Sequence, residues 1–498
     1  MSSLSPRRSS LLLALCLAGF AVTLTYTGIG VALPEIAREL GAGRVASTWV
    51  INAFVLIFGA CIMAAGTAAD RYGRKRVMVI GVVLYVITSV AAALAWSILV
   101  LDIVRGLQGA AAALTMAAAA AAVAHAYQGD AQVKAFALLG TCFGAGFALG
   151  PIIVGFTVEY ASWRLVFLLG AALGVAVLLL VHLSKMAESK DPEANSLDVP
   201  GTLSFMLMLG LFTYGLIEAP ERGWSDPLVL LMLLGAALCL MVFIAVEQRQ
   251  PRPMLDLSLF KHARFVGVQA LPIAAGFAFI APLALMPFRF MGVEGMSEGE
   301  AGLALLPLCL PMTVVPLLAG YLARWIAPGT LCASGLMVTA AGLAWLAYIP
   351  IGAGAAAFAW PMLLVGAGIS LPWGLMDGLA VAVVPKDRAG MAVGIFGTSR
   401  LVSEGTAIVV VTAILLGLLQ LQLPAELASS LASGRDLARE VVASESVIGA
   451  YDLAFRTTFL ILAGVALCCA AATAVVLSSH NADRELSNEC SPAIPCVD

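Results

Sequence analysis

The chain reads Gly66-Thr-Ala-Ala-Asp70-Arg71-Tyr-Gly73-Arg74-Lys75-Arg76 between two apolar runs, at 46–66 and 77–95. Each run is about as long as a membrane-crossing helix, which needs roughly 20 residues. The glycines of the connection allow a tight turn, and Asp70 can pair with basic groups and cap the helix that follows. A simple basic anchor would need only the basic residues, so this spacing indicates a specific turn between two membrane helices.

The rest of the chain repeats this pattern of apolar runs and short connections. Of its 498 residues, 61% are hydrophobic and 11% charged, with a mean hydropathy of +1.00, whereas soluble chains are about 45–50% apolar and about 25% charged. This composition excludes a cytosolic enzyme, a disordered chain and a nucleic-acid-binding protein. It predicts an all-α polytopic membrane protein with fourteen spans, near 11–33, 46–66, 77–95, 98–125, 133–156, 163–183, 199–218, 227–247, 264–288, 300–323, 328–350, 354–384, 388–419 and 453–479.

Lysine and arginine are unevenly distributed between the two sides of these spans. With the N-terminus in the cytoplasm, 17 of the 27 lie in cytoplasmic segments and 8 on the other side, while Arg105 and Arg400 lie within spans. Cytoplasmic connections are enriched in these residues, so we expect a plasma (inner) membrane protein with both termini cytoplasmic. The first apolar run follows Arg7 and Arg8 and is too long for the core of a signal peptide, about 7–15 residues. We therefore predict that it is retained as the first span.

Five ionisable residues within the predicted spans require an explanation, because a charge at a helix centre costs about 2.5–3.5 kcal/mol. They are Asp102, Arg105, Asp377, Arg400 and Glu404. Helical spacing places Asp102 beside Arg105. It also places Arg400 beside Glu404, while similar depth in neighbouring helices allows Asp377 to pair with Arg400. One interpretation is structural ion pairing. The other is proton or cation binding, because burial and a nearby arginine act oppositely on the pKa of a carboxyl.

Trp373 and Asp377 lie one helical turn apart on one side of a span. An aromatic face next to a carboxylate suits a lipophilic organic cation, through cation–π attraction and charge. A tryptophan that only packs in the core is equally consistent with this spacing.

Residues 66–76 closely resemble the GxxxDRxGRRx signature of the major facilitator superfamily. In that family this connection controls closure on the cytoplasmic side. The resemblance therefore implies a cytoplasmic gate made by Gly66, Asp70, Arg71, Gly73 and Arg74.

Two further stretches resemble motifs of the same family. Residues 101–113 resemble the fourth-helix motif LxxxRxxQGxgaA, which implies a role in proton coupling for Arg105. Residues 140–155 resemble the antiporter motif GxxxGxxxxxGPxxGG of exporters, with Val154 in place of one glycine. Close packing of small residues is the alternative explanation of this stretch. Its motif positions are Gly140, Gly144, Gly150, Pro151 and Gly155.

Stretches at 197–201, 253–257 and 389–394 resemble the fourteen-helix drug:proton antiporters, and the resemblance covers residues 11–480. It implies the major facilitator fold, with an N-terminal six-helix bundle over 1–183 and a C-terminal six-helix bundle over 264–480. A linker with two inserted helices would occupy 184–263 and a cytoplasmic tail 481–498. The resemblance also implies a functional monomer.

The first span departs from that branch, because Thr25 stands where an aspartate is expected and Gly30 where an asparagine is expected. We hypothesise that Asp102 replaces the missing acid as a charge partner. Asp377 would be the second membrane acid, with Glu404 as its substitute. The candidate residues of the substrate cavity are Thr25, Trp373, Met376, Asp377, Arg400 and Glu404.

These features predict proton-coupled efflux of lipophilic or cationic drugs by alternating access. The expected partners are a small-molecule drug or amphipathic substrate, protons and the lipid bilayer, and no nucleic acid. We expect no enzymatic activity, cofactor or metal, because the four histidines lack metal-ligand spacing and no P-loop sequence occurs. One alternative is a dedicated exporter of one metabolite, such as a secondary product or siderophore. Another is a receptor or structural membrane protein that retains the fold.

Overall fold

The computed structural model describes residues 6–127, 130–189, 198–249, 263–382, 389–433 and 445–477. These residues form helices and connecting turns, with no strand among them. Fourteen spans are long and apolar enough to cross a membrane, which confirms the predicted all-α polytopic fold. We number them spans 1–14: Ser10–Glu39, Ala46–Tyr72, Arg74–Ala93, Ile98–Val123, Leu138–Tyr160, Trp163–Ser184, Val199–Ala219, Pro227–Arg249, Arg264–Val293, Glu298–Leu322, Pro328–Leu346, Ala355–Ala380, Ile395–Gln420 and Ser446–Leu477.

Most spans are single helices, because lipid offers the backbone no hydrogen-bond partner. Polar caps mark several starts. Ser97 accepts from the Val100 amide, and Ser297 forms a capping box with Glu300 before span 10. The unbroken helices are Pro6–Glu39, Arg44–Tyr72, Arg74–Ala93, Ile98–Ala126, Asp130–Tyr160, Trp163–Ser184, Val199–Arg222, Pro227–Arg249, Pro328–Leu346, Ala389–Gln420 and Glu445–Leu477, and a further short helix is Ala425–Ser433.

Spans 9, 10 and 12 are broken helices, and prolines lie in each of them. Proline removes a backbone donor and disturbs the regular hydrogen-bond ladder. Span 9 contains α-helical segments at Ala263–Val268, Ala270–Ala275 and Ala281–Phe288, with π-helical turns at Gly276–Ile280 and Arg289–Val293. Span 10 divides into Glu298–Ala304, Leu306–Cys309 and Pro311–Leu322, and span 12 into Ala355–Trp373 and Met376–Ala382.

The spans pack as two six-helix bundles. Spans 1–6 contact one another, as do spans 9–14, and the bundles meet where span 2 packs on span 13, span 5 on span 10, and span 1 on spans 9 and 10. Gly59 faces the Cβ atom of Leu401 across the contact between spans 2 and 13. The tail predicted at 481–498 lies outside the described residues.

Spans 7 and 8 form a helical pair beside the two bundles. Span 7 packs on span 8 and also contacts span 2 of the first bundle and span 13 of the second. Trp49 of span 2 and Tyr214 of span 7 have ring centroids 6.1 Å apart. The inserted pair therefore lies over one seam between the bundles.

Polar groups also connect the bundles at the face opposite the one where span 1 begins, here called the far face. The carboxylate of Glu159, at the end of span 5, accepts hydrogen bonds from the Ser297 hydroxyl at 3.2 Å and the Gly299 amide at 2.9 Å. Both partners lie at the start of span 10. The far ends of spans 5 and 10 are therefore tied together.

A fully buried ion pair lies at the far end of span 9. The guanidinium of Arg289 contacts the carboxylate of Glu294 at 3.0 Å, and the Glu294 carboxylate also accepts from the Gly352 amide at 3.0 Å. The guanidinium lies over the Phe455 ring, 4.5 Å from its centroid, and near Phe358. This pair fixes span 9 to the connection between spans 11 and 12.

Breaking this pair is expected to destabilise the protein strongly. Arg289→Met leaves the Glu294 carboxylate buried without its cation, which costs about 3–5 kcal/mol. The measurement is thermal unfolding of the purified protein in detergent. The matched control is Arg38→Met, whose side chain is 67% exposed and pairs with Glu35, and which we expect to cost about 0–1 kcal/mol. Equal losses of stability in the two variants would contradict this account.

Candidate functional site

A hydrogen bond joins the two bundles in the interior of the molecule. The Tyr26 hydroxyl of span 1 donates to Oε2 of Glu404 in span 13 at 3.1 Å. Both side chains are buried. Because a buried carboxylate is unstable without hydrogen bonds or a nearby cation, Glu404 depends on the first bundle for one of its partners.

Arg400 provides the positive charge next to Glu404. Its Nε lies 4.0 Å from Oε1 of Glu404, one helical turn away on span 13, as the spacing predicts. The same guanidinium lies over the ring of Trp373 in span 12, 5.6 Å from the centroid. Arg400 thus bridges a carboxylate and an aromatic face within the second bundle.

Five aromatic rings surround this polar centre and cross the interface between the bundles. Tyr26 stacks on Phe54 with centroids 5.9 Å apart and meets Phe147 edge-on at 6.1 Å. Phe147 of the first bundle then contacts two rings of the second, Phe279 at 6.0 Å and Trp373 at 5.7 Å. We call Tyr26, Phe54, Phe147, Phe279 and Trp373 the aromatic cluster.

Arg105 lies on the first-bundle side of the aromatic cluster and is fully buried. Its Nε donates to the Val50 carbonyl at 2.9 Å, and its Nη1 donates to Oε1 of Gln108 at 2.5 Å. Its guanidinium covers the Phe54 ring, 4.4 Å from the centroid. Arg105 therefore reaches Tyr26 through the Phe54 ring that lies between them.

Thr25, predicted to line the substrate cavity, lies inside the first bundle. Its hydroxyl bonds to the Ala21 carbonyl at 3.0 Å and to the Tyr85 hydroxyl at 2.8 Å, and its methyl group packs toward Gly170. Thr25 therefore faces spans 3 and 6 inside the first bundle. Successive helical residues point about 100° apart, so the next residue, Tyr26, is the one that faces the second bundle.

That Asp102 is a charge partner of Arg105 stays a prediction, and their opposite charges attract each other in the structure. The guanidinium of Arg105 donates its hydrogen bonds to Val50 and Gln108, and Oδ1 of Asp102 has no hydrogen-bond partner. Met376 is buried at the start of the second segment of span 12. The side chain of Asp377 lies outside the described residues, and so does its predicted pairing with Arg400.

Sequence reasoning named Trp373 but missed the other four members of the aromatic cluster, which lie in four different spans: Tyr26, Phe54, Phe147 and Phe279. The available signal was a run of aromatic residues in otherwise aliphatic spans, which is equally typical of core packing. Gln108 lay within a quoted motif, yet its contact with Ser89 at 2.7 Å leaves no sign in the sequence.

A family model described as the Major Facilitator Superfamily matches residues 15–408. The chain is a member of the major facilitator superfamily. A solved structure of a bacterial homolog of the human lysosomal transporter Spinster, inward-facing and unoccupied, has the same fold. Its TM-score is 0.66 at 17% identity, over 97% of this chain and 99% of that chain.

Three curated relatives of this transporter are named as resistance or export proteins. The multidrug resistance protein Stp of Mycobacterium tuberculosis is 31% identical over 413 residues, 81% of this chain and 75% of that protein. The tetracenomycin C resistance and export protein of Streptomyces glaucescens is 29% identical over 82% of this chain and 76% of that protein. The puromycin resistance protein pur8 of Streptomyces alboniger is 32% identical over 68% of each chain.

In this major facilitator protein, residues 66–76 form a tight junction between spans 2 and 3. Arg74 pairs with Asp70 at 3.0 Å, and Arg71 lies over the ring of Tyr72. The expectation that Asp70 caps span 3 is wrong, because Glu188 accepts from the Lys75 and Arg76 amides at 3.1 Å each. Gly73 has φ of +109°, which turns the chain so that these amides face Glu188.

The glycines of the antiporter motif differ in what they contact. A Cβ atom on Gly144 would lie 2.6 Å from the Met312 carbonyl oxygen of span 10, and one on Gly155 would collide with the Glu298 carbonyl. Gly150 packs on Leu24 and Thr27 of span 1, and the Pro151 carbonyl faces Gly302. Gly140 has nothing within 4 Å of its Cβ position, so the expected Gly140–Gly144 packing face is reduced to Gly144.

Alanine substitutions at Gly144 and Gly140 test whether span 5 must approach span 10 this closely. Gly144→Ala brings a methyl group against backbone atoms, and overpacking of this kind costs about 1–3 kcal/mol. We expect lower thermal stability of the purified protein in detergent. Gly140→Ala is the control and is expected to behave as wild type. Wild-type behaviour of both variants would show that the close contact between Gly144 and span 10 is not required.

Proposed function

We propose that this transporter exports lipophilic drugs and other toxic compounds across the plasma membrane in exchange for protons, by alternating access. The observation that carries the proposal is the 3.1 Å hydrogen bond from Tyr26 to Glu404. It places a buried titratable group between the two bundles, so the protonation of one side chain affects how the bundles hold together.

The charged carboxylate of Glu404 favours the closed contact between the bundles. It accepts the hydrogen bond of Tyr26 and lies beside Arg400, and hydrogen bonds to ionised groups are roughly twice as strong as neutral ones. Protonation removes that charge, weakens both interactions and lets the bundles part. Release of the proton on the other side restores the contact.

Each of the remaining ionisable residues has a place in this scheme. Arg105 supplies a fixed positive charge on the first-bundle side, where it covers Phe54. Asp102 has a buried oxygen atom without a hydrogen-bond partner and is a second candidate proton acceptor. Asp377, one turn after Trp373, is a third. The Asp70–Arg74 junction would act as the cytoplasmic gate.

The orientation follows from the basic residues of the sequence. With both termini cytoplasmic, the far face is extracellular, and the contacts of Glu159 with Ser297 and Gly299 close the outer side in this conformation. One chain supplies both bundles and every member of the aromatic cluster, which favours a functional monomer. No cofactor is part of this mechanism.

Export of a single metabolite is the second candidate function. One observation favours it, namely a relative at 29% identity whose name assigns it resistance to and export of one compound, tetracenomycin C. A drug-susceptibility panel in a pump-deficient host separates the two. Resistance to several unrelated drugs indicates broad efflux, and resistance to one chemical type indicates a dedicated exporter.

Neutralising Glu404 tests the proton-coupling mechanism. Glu404→Gln keeps an acceptor oxygen for Tyr26 but cannot bind a proton, so substrate-induced proton release from the purified protein is expected to disappear. Drug resistance should fall by about tenfold or more, because loss of about 1.4 kcal/mol from the charge-dependent interactions of Glu404 corresponds to a factor of ten. Because glutamine stays uncharged at every pH, the residual activity should be independent of pH over the range in which the wild type varies.

The matched control is Glu35→Gln, which removes a partly exposed carboxylate paired with Arg38 and should leave proton release intact. Tyr26→Phe should reduce transport while retaining proton release. It removes the hydroxyl that donates to Glu404 but leaves the titratable carboxyl of Glu404 in place. Undiminished, pH-dependent proton release in Glu404→Gln would exclude Glu404. If Asp377→Asn then abolished proton release, Asp377 would be the residue that binds the coupled proton.

A further inference from the structure

Two rings of the aromatic cluster, Phe54 and Trp373, are each covered on one face by a guanidinium group of the protein. Arg105 lies 4.4 Å from the centroid of Phe54, and Arg400 lies 5.6 Å from the centroid of Trp373. A cation gains from an aromatic ring only when it reaches the ring face, within about 6 Å of the centroid. At these covered faces an organic cation would have to displace an arginine, and elsewhere in the cluster the two guanidinium charges would repel it.

The carboxylate of the site, that of Glu404, also has partners already. Glu404 accepts a hydrogen bond from Tyr26 and lies beside Arg400. A cationic substrate would compete with Arg400 for the same charge while being repelled by it. The sequence-based expectation that Trp373 attracts an organic cation is thus opposed by the position of Arg400.

The remaining contacts of the cluster are between uncharged rings. Phe147 of the first bundle meets two rings of the second bundle edge-on, Trp373 at 5.7 Å and 75° and Phe279 at 6.0 Å and 60°. These edge-to-face contacts span the interface and separate when the bundles move apart. A planar aromatic molecule can replace them one for one, at about 0.5–1.5 kcal/mol for each ring pair.

We propose that the aromatic cluster selects planar aromatic substrates without a permanent positive charge, and that Arg400, by covering Trp373 beside Glu404, is the residue that determines this selectivity. The inference rests on the proposed export function and names its substrate class. It predicts transport of uncharged or weakly acidic polycyclic compounds and poor recognition of quaternary aromatic cations of the same size.

The test is equilibrium binding to the purified full-length protein in lipid nanodiscs, without a proton gradient. The probes are 6(5H)-phenanthridinone, which is neutral, and 5-methylphenanthridinium, a permanent cation with the same three-ring skeleton. We expect the wild type to bind the neutral probe at least about tenfold more tightly, the size of one to two ring–cation interactions. Arg400→Gln should reduce that ratio about tenfold or more, through tighter binding of the cation.

Two variants keep the result interpretable. Arg324→Gln is the matched control, because Arg324 also lies 5.6 Å from a ring centroid, that of Tyr321. This pair lies at the end of span 10, outside the aromatic cluster. The ratio of the two probe affinities in Arg324→Gln should therefore equal that of the wild type. Arg400→Lys retains the positive charge and should still disfavour the cation. Each variant is compared only as folded, monodisperse protein.

Equal or tighter binding of the cation by the wild type would overturn the proposal, as would an unchanged ratio in Arg400→Gln. Failure here is distinguishable from failure of the proposed function. The binding ratio needs no proton movement, whereas proton release in the Glu404→Gln experiment needs no particular substrate charge.

Discussion

A single buried carboxylate between two bundles is the constraint around which the centre of this protein is arranged. Glu404 is removed from water, so its charge must be balanced by groups that the fold supplies. One of these, Arg400, belongs to the same helix, and the other, Tyr26, belongs to the opposite bundle. Separation of the bundles therefore removes a partner that the charged carboxylate requires, and a neutral carboxyl can separate at lower cost. The aromatic cluster keeps water from replacing Tyr26 while the bundles are in contact.

The sequence contains enough information for the fold and for local pairs, but not for this contact. Helix is the required backbone form of a long apolar run in lipid, so the fourteen spans could be counted, and the Arg400–Glu404 pair follows from helical spacing. Tyr26 and Glu404 are 378 residues apart, and no local pattern connects them. A missing acid drew attention to Thr25, whose hydroxyl turns out to serve Tyr85 inside the first bundle.

Motif matching identified the right segments but assigned some of their contacts wrongly. At the junction between spans 2 and 3, the helix start is capped by Glu188, which lies more than a hundred residues later, because the positive φ of Gly73 turns the amides away from Asp70. In span 5, Gly144 approaches the backbone of span 10 while Gly140 faces open space. Glycine spacing indicates that close approach is possible, and only the neighbouring span decides where it occurs.

The energies involved are of the size that the proposed exchange of a proton for a substrate requires. Loss of the charge on Glu404 weakens a charge-assisted hydrogen bond, which is worth about 1.5–3 kcal/mol, toward the roughly 0.5–1.5 kcal/mol of a neutral one. Replacement of one aromatic contact by a substrate ring involves about 0.5–1.5 kcal/mol. A change of about 0.5–1.5 kcal/mol shifts a two-state equilibrium by roughly two- to thirteen-fold, since 1.4 kcal/mol is one factor of ten. In the proposed mechanism proton and substrate act on the same interface with comparable energies, so neither dominates and the population of the open state would respond to both. Much stronger binding of either one would hold the bundles in a single state and prevent turnover.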